Sequence, residues 1–279
     1  MPGYIKNIIF AIICTVFLAG CATVNTGYRA ADTIASEHRF TKDHIKTRLC
    51  TVTSFYHINN PGAPLTVYIE GDGTAWRSRH RLSDDPTPRH PLVLSLAALD
   101  PSENVAYIAR PGQLTASSRP DCDPAYWSEK RFFREVVNAI GSGLDYLKAK
   151  SQSKEINLIS YSGGAFLAVL VASERGDVSS LRTIAGNLDP EAVNRYHKVS
   201  PIEATPVSIN FAAKIANIPQ RHFVSADDTV VPVSIAEAFV EKIGDQKHES
   251  ITIVPGTNHT SGWQKSWSSL ISTPLYKQK

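Results

Sequence analysis

Long apolar runs are what this chain most lacks. The one extended apolar segment, Ile8 to Leu18, is about half the roughly twenty residues that a membrane-spanning helix needs. It fits the hydrophobic region of a signal peptide over residues 1–20, with an uncleaved N-terminal anchor as the alternative; both place the globular part outside the cytoplasm. Charge of one sign is also missing. With 29 basic and 26 acidic residues the formal net charge is +3, so no basic patch marks a nucleic-acid-binding protein. Gly/Ser or charged linkers, internal repeats and low-complexity segments are absent, which argues for one large domain over residues 38–279 behind a polar, weakly ordered tether at 21–37. Cysteines are few: four in 279 residues, one of them within the apolar segment. Of the rest, Cys50 and Cys122 either pair, as an extracytoplasmic compartment permits, or remain two buried thiols.

What is present alternates between strand and helix. Thr51 to Ile58 and Leu65 to Glu70, separated by Asn59-Asn60-Pro61-Gly62, read as an opening hairpin. Val105 to Ala109 reads as a strand, and Lys130 to Lys150 carries Phe132, Phe133, Val136, Val137, Ile140, Leu144 and Leu147 at helical spacing. Strands follow at Ile156 to Ile159, Leu181 to Ala185, His222 to Val224 and Ile251 to Val254, each before a helical or loop segment. This succession predicts an α/β protein with a mostly parallel central sheet and helices on both faces. In such a sheet, sites gather at the carboxyl ends of the strands.

Three of those strand ends carry chemistry. Ser160-Tyr161-Ser162-Gly163-Gly164 turns a strand into an apolar helix through small residues, with Ser162 at the apex. Ser225-Ala226-Asp227-Asp228-Thr229-Val230-Val231-Pro232 follows a later strand, and Pro255-Gly256-Thr257-Asn258-His259 follows the last. A serine hydroxyl needs a base, and the base needs an orienting carboxylate. Serine, then acid, then histidine supplies the set in the chain order of α/β-hydrolases. His259 is the one histidine after both the acid and the final strand; His248 and His222 flank strand starts and read as surface residues.

From Thr51 to Ile271 the chain resembles an α/β-hydrolase. Glu70-Gly71-Asp72-Gly73, Arg110-Pro111-Gly112-Gln113 and the region of Tyr126, Trp127 and Arg131 resemble a group of bacterial α/β-hydrolase lipoproteins. Leu18-Ala19-Gly20-Cys21 resembles their lipobox, which implies a lipid on Cys21, a membrane anchor, and a cell-envelope location facing the periplasm or exterior. The resemblance implies Ser162 as nucleophile, His259 as base and Asp228 as acid, since Asp228-Thr229-Val230-Val231-Pro232 is similar to the family's acid turn; Asp227 is the alternative. It implies backbone N–H groups of Gly163 and Asp72 as the oxyanion hole, with Gly73, Trp76 and Tyr161 as candidate substrate contacts alongside Trp127. Neither a metal nor an organic cofactor is implied. The expected reaction is hydrolysis of an ester or thioester, with an amide also open, on a small-molecule or lipid-like acyl substrate. Two departures stand out: Glu70 replaces the family's usual histidine, and Ser160 replaces the first glycine of Gly-x-Ser-x-Gly. They keep open a non-catalytic binding protein on the same fold, and the triad alone leaves an acyltransferase open.

Overall fold

The computed structural model describes residues 26–115, 121–202 and 209–276; the signal segment, Cys21 and the first part of the tether lie outside them. An eight-stranded sheet runs in the order β1-β2-β6-β3-β7-β8-β9-β10. Its strands are β1 (Thr41–Lys46), β2 (Thr51–Ile58), β3 (Leu65–Ile69), β6 (Asn104–Ile108), β7 (Ile156–Tyr161), β8 (Val178–Ile184), β9 (Gln220–Val224) and β10 (Ile251–Ile253). β1, β2 and β6 pair antiparallel, and every pairing from β6 to β10 is parallel. A separate two-stranded hairpin, β4 (Trp76–Ser78) with β5 (Arg81–Leu82), follows β3.

Alternation along the central strands divides two cores. Leu65, Val67 and Ile69 of β3 and Ala106 and Ile108 of β6 face α3 (Arg134–Ser151), α4 (Gly163–Ala172) and α7 (Val233–Lys242). Tyr68, Val105 and Tyr107 point the other way, toward α1 (Thr26–Glu37), α2 (Leu92–Ala97) and α8 (Trp263–Leu270). The period of two in strands sends neighbouring side chains to opposite faces, so helices must cover both. Two shorter helices, α5 (Pro190–His197) and α6 (Ile209–Ala212), lie between β8 and β9. α4 is buried along its whole length, which explains why its sequence is apolar all round.

The structure departs from the sequence reading at four points. β2 and β3 are not a hairpin: β6 lies between them, antiparallel to β2 and parallel to β3. The Asn59–Gly62 turn is real, but strand partnership is decided by sheet order, which a local turn signal does not carry. β1 is a strand although only Ile45 of its six residues is buried, so it offers little alternation to read. Residues 26–37 of the expected tether form α1, docked through Gly27, Ala31 and Ala35. Small residues at helical spacing bury a face without a strong hydrophobic signal. Finally, the helix expected from Lys130 starts at Arg134, after a tight 3-10 turn at Pro124–Trp127 and further turns.

Candidate active site

The parallel strands β3, β7, β9 and β10 end on one edge of the sheet, and their following loops meet there. Ser162 follows β7 directly, with φ 50° and ψ −127°, a conformation that a non-glycine residue adopts only when its surroundings enforce it. The enforcement is visible. Its N–H donates to the Ile184 carbonyl at 3.1 Å, and its own carbonyl accepts from Ala165 and Asn187 at 3.0 and 2.9 Å. At Gly164 a Cβ would overlap the Ile69 and Glu70 carbonyls, so only glycine lets the helix start this close to β3. Ser160 faces inward with no exposed surface and donates to the Arg182 carbonyl at 3.4 Å; it is a strand residue, and small enough for the approach.

The other two groups converge on Ser162. Its Oγ lies 3.0 Å from Nε2 of His259, and Nδ1 of His259 lies 2.8 Å from Oδ2 of Asp228. A carboxylate only accepts, so Nδ1–H donates to Asp228 and Nε2 is left to accept from the serine hydroxyl. Asp228 is almost inaccessible, and its second oxygen accepts from the N–H groups of Val230 and Val231, both at 2.8 Å. Asp227 is exposed, and it is the Asp228 carboxylate that meets His259. Ser225 Oγ ties the acid loop to the carbonyl of Thr257 in the histidine loop. Asn258 Oδ1 folds that loop by accepting from the N–H groups of Thr260 and Ser261, and Trp263 Nε1–H donates to the Asn258 carbonyl at 2.8 Å. Tyr161 Oη–H donates to the His259 carbonyl at 3.1 Å, and its ring lies 5.3 Å from the imidazole. Burial holds the Tyr161 phenol well above its usual range, so it stays a donor. Trp263 was not singled out from the sequence, although a tryptophan four residues after His259 is the kind of anchor a helix start needs.

The loop after β3 completes the site. Glu70 is buried, and its carboxyl accepts from Gly71 N–H at 2.9 Å and from Tyr107 Oη–H at 3.1 Å. Burial pushes its pKa up to about 7, with these donors and Arg110 offsetting only part of the cost. Glu70 therefore ties the loop to β6. Asp72 carries the charge nearer Ser162: its carboxylate pairs with the Arg110 guanidinium, and Arg131 Nε lies 3.6 Å away. Burial raises the Asp72 pKa, but the two guanidiniums outweigh it and the net shift is downward. Arg110 is 3% exposed, and its other nitrogen donates to the Arg131 carbonyl at 2.9 Å. Gln113 Nε2 donates to the Gly71 carbonyl at 3.0 Å, so the Arg110–Gln113 turn braces the same loop. Arg77 pairs with Asp84 at 3.1 Å and plays no part here.

With Gly71 N–H given to Glu70 and Thr74 N–H to the Pro86 carbonyl, the amides of Asp72 and Gly163 have no protein acceptor among the described residues. Gly73 adopts φ +63° against Pro86 and Gln113, a turn that suits glycine. Trp76 is half exposed beyond the loop. Trp127 is not a pocket residue: it is buried beside Ala75 and the Cys50–Cys122 disulfide, and Nε1–H donates to the Ser83 carbonyl at 3.1 Å. His222 is not a surface residue either. It is fully buried at 2.9 Å from Thr183 Oγ1, and burial followed by the nearby Arg221 charge lowers its pKa to about 3. Clefts of about 420, 320 and 310 Å³ run beside α3 and are not lined by Ser162, Asp228 or His259.

This sheet order, with a strained serine between β7 and α4, defines an α/β-hydrolase fold. Among solved structures, the chain is similar to Est1E from Butyrivibrio proteoclasticus with bound ferulic acid (TM-score 0.60, 15% identity, covering 82% of this chain and 97% of that one). It is also similar to the Pyrococcus furiosus esterase Pf2001 (TM-score 0.58, 14% identity, 85% and 90%) and to the Pyrococcus horikoshii acylaminoacyl peptidase (TM-score 0.61, 14% identity, 86% and 43%). No protein-family model and no curated protein sequence matches the chain. At these identities the likeness concerns the fold, and the chemistry has to be argued from the site.

Proposed function

We propose that the protein is an extracytoplasmic serine hydrolase, lipid-anchored through Cys21, that cleaves an ester or thioester through an acyl-enzyme, with amides as a further substrate class. The observation that carries this reading is the chain of contacts Ser162 Oγ to His259 Nε2 at 3.0 Å and His259 Nδ1 to Asp228 Oδ2 at 2.8 Å. His259 takes the Ser162 proton as the oxygen attacks the acyl carbonyl, and Asp228 holds the imidazole in the tautomer that can accept it. His259 then returns the proton to the leaving group, and water repeats the sequence to release the acid. The N–H groups of Gly163 and Asp72 receive the developing oxyanion. Arg110 and Arg131 offset the Asp72 carboxylate beside that position.

The solved structures the chain resembles, Est1E with bound ferulic acid, the esterase Pf2001 and an acylaminoacyl peptidase, support acyl transfer to water as the reaction class. The Cys50–Cys122 disulfide supports an oxidising compartment. The two departures that favoured a non-catalytic role have structural accounts, since Ser160 packs within the sheet and Glu70 is turned toward Tyr107. Labelling with a fluorophosphonate probe, followed by mapping of the modified residue, tests the reading. Modification at Ser162 and its loss in Ser162→Ala, together with loss of p-nitrophenyl ester hydrolysis, are expected. Full hydrolysis by Ser162→Ala would refute it.

A further inference from the structure

The β4–β5 hairpin begins three residues after Gly73, so at most about 11 Å of chain separates it from the loop beside Ser162. Its role is not explained by the triad. Trp76 is 49% exposed, while the other three tryptophans, Trp127, Trp263 and Trp267, are at most 4% exposed. Arg77, Arg79 and Arg81 on the hairpin and Arg89 just after it are all exposed. Against these four arginines the segment 76–90 holds two acids, Asp84 and Asp85, and Arg77 pairs with Asp84 at 3.1 Å. Four arginines less two acids leave this segment with a net charge of +2 and one exposed indole.

The hairpin is held firmly at its base and left open at its tip. Ser83 N–H donates to the Ala75 carbonyl, Thr74 N–H to the Pro86 carbonyl, and Trp127 Nε1–H to the Ser83 carbonyl. Leu82 packs with Ala75, Trp127 and the Cys50–Cys122 disulfide. A rigid base beneath an exposed Trp–Arg tip suits a surface that inserts an amphipathic ring among headgroups and pairs guanidiniums with phosphates.

The path of the N-terminus agrees. At Gly27 a Cβ would overlap the Pro88 carbonyl and reach 3.0 Å from Thr87, so α1 starts against the loop that carries Arg89. Cys21 lies five residues before Thr26, and five extended residues reach at most about 18 Å. A membrane holding Cys21 would therefore lie within reach of the hairpin.

We propose that the β4–β5 hairpin docks on an anionic phospholipid surface, through Trp76 in the headgroup layer and Arg77, Arg79, Arg81 and Arg89 against lipid phosphates, and turns the site mouth toward the bilayer. Hydrolysis is not needed for this docking, so its test is independent of the proposed activity. The full chain carrying Cys21→Ser, which removes the lipid acceptor, is sedimented with vesicles of phosphatidylcholine alone or containing phosphatidylglycerol. Binding in excess on the anionic vesicles is expected, with a blue shift of Trp76 emission that Trp76→Phe abolishes. Arg77→Gln/Arg79→Gln/Arg81→Gln should lower that excess by on the order of 100-fold while the thermal midpoint stays unchanged. Equal binding to both vesicles, an excess retained by the triple variant, or unshifted Trp76 emission would each overturn the proposal. So would equally tight binding of a short single-stranded DNA, which would make the surface a general polyanion site.

Discussion

The carboxylate of Asp72 lies against the α-carbon of Gly163, close enough that a methyl group there would overlap it. The two residues proposed to donate to the oxyanion are thus packed on each other. Gly163→Ala must push the loop away from the helix start, moving the Asp72 amide. We expect kcat to fall by about 10²–10³-fold, the usual loss for one oxyanion donor, with a thermal midpoint within a few degrees of the parent. Steady-state kinetics and calorimetry check both halves.

Asp227 and Asp228 are adjacent in sequence, but only Asp228 reaches His259. Asp228→Asn retains an acceptor for Val230 and Val231 but can present a donor to Nδ1, which favours the wrong tautomer. A loss on the order of 10⁴-fold in kcat is expected, against no measurable loss for Asp227→Asn. Comparable losses in both variants would remove Asp228 from its assigned role.

Arg110 is buried with Asp72 as its counter-charge. Asp72→Asn leaves that guanidinium without its anion, and a destabilisation of roughly 3 kcal/mol in urea unfolding is expected. In the cycle with Arg110→Gln the two changes should couple by about 1–3 kcal/mol, because the second removes the charge that the first leaves unpaired.

Glu70 titrates at about 7 in the folded protein against an ordinary 4.5. A raised carboxyl pKa means that the folded state binds the proton more tightly, so its contribution to stability is full below about 4.5 and is lost as pH rises through about 7. Glu70→Gln keeps an acceptor for Gly71 and carries no charge. It should be more stable than the parent at pH 8 by up to roughly 3 kcal/mol, with a flatter stability profile between pH 5 and 7. Urea midpoints across that range read the difference, and identical slopes would show that Glu70 does not titrate there.

The Cys50–Cys122 bond closes a 72-residue separation and lies under the base of the β4–β5 hairpin. Replacing both cysteines with alanine should cost about 2–5 kcal/mol of stability. Easier proteolysis of the 76–90 segment should accompany the loss, and limited digestion with mass spectrometry would locate the cuts.

What the amino-acid order determined by itself is local or directional. Ser162 between a β-branched strand and an apolar, glycine-led helix is a tight turn whatever surrounds it. Successive strand and helix patterns require a covered parallel sheet, and the order Ser162, Asp228, His259 places each group after its own strand. Tertiary structure alone decided what depends on partners distant in sequence. Insertion of β6 between β2 and β3 overrode a strong turn signal, because hydrogen-bond partnership in a sheet is non-local. α1 gained its face only by docking Ala31 and Ala35 against the core. Glu70 and Asp72 read as two acids beside an oxyanion. The fold turned Glu70 toward Tyr107 and set Asp72 against Arg110 and Arg131, since the cost of a buried charge depends on which groups the fold places next to it.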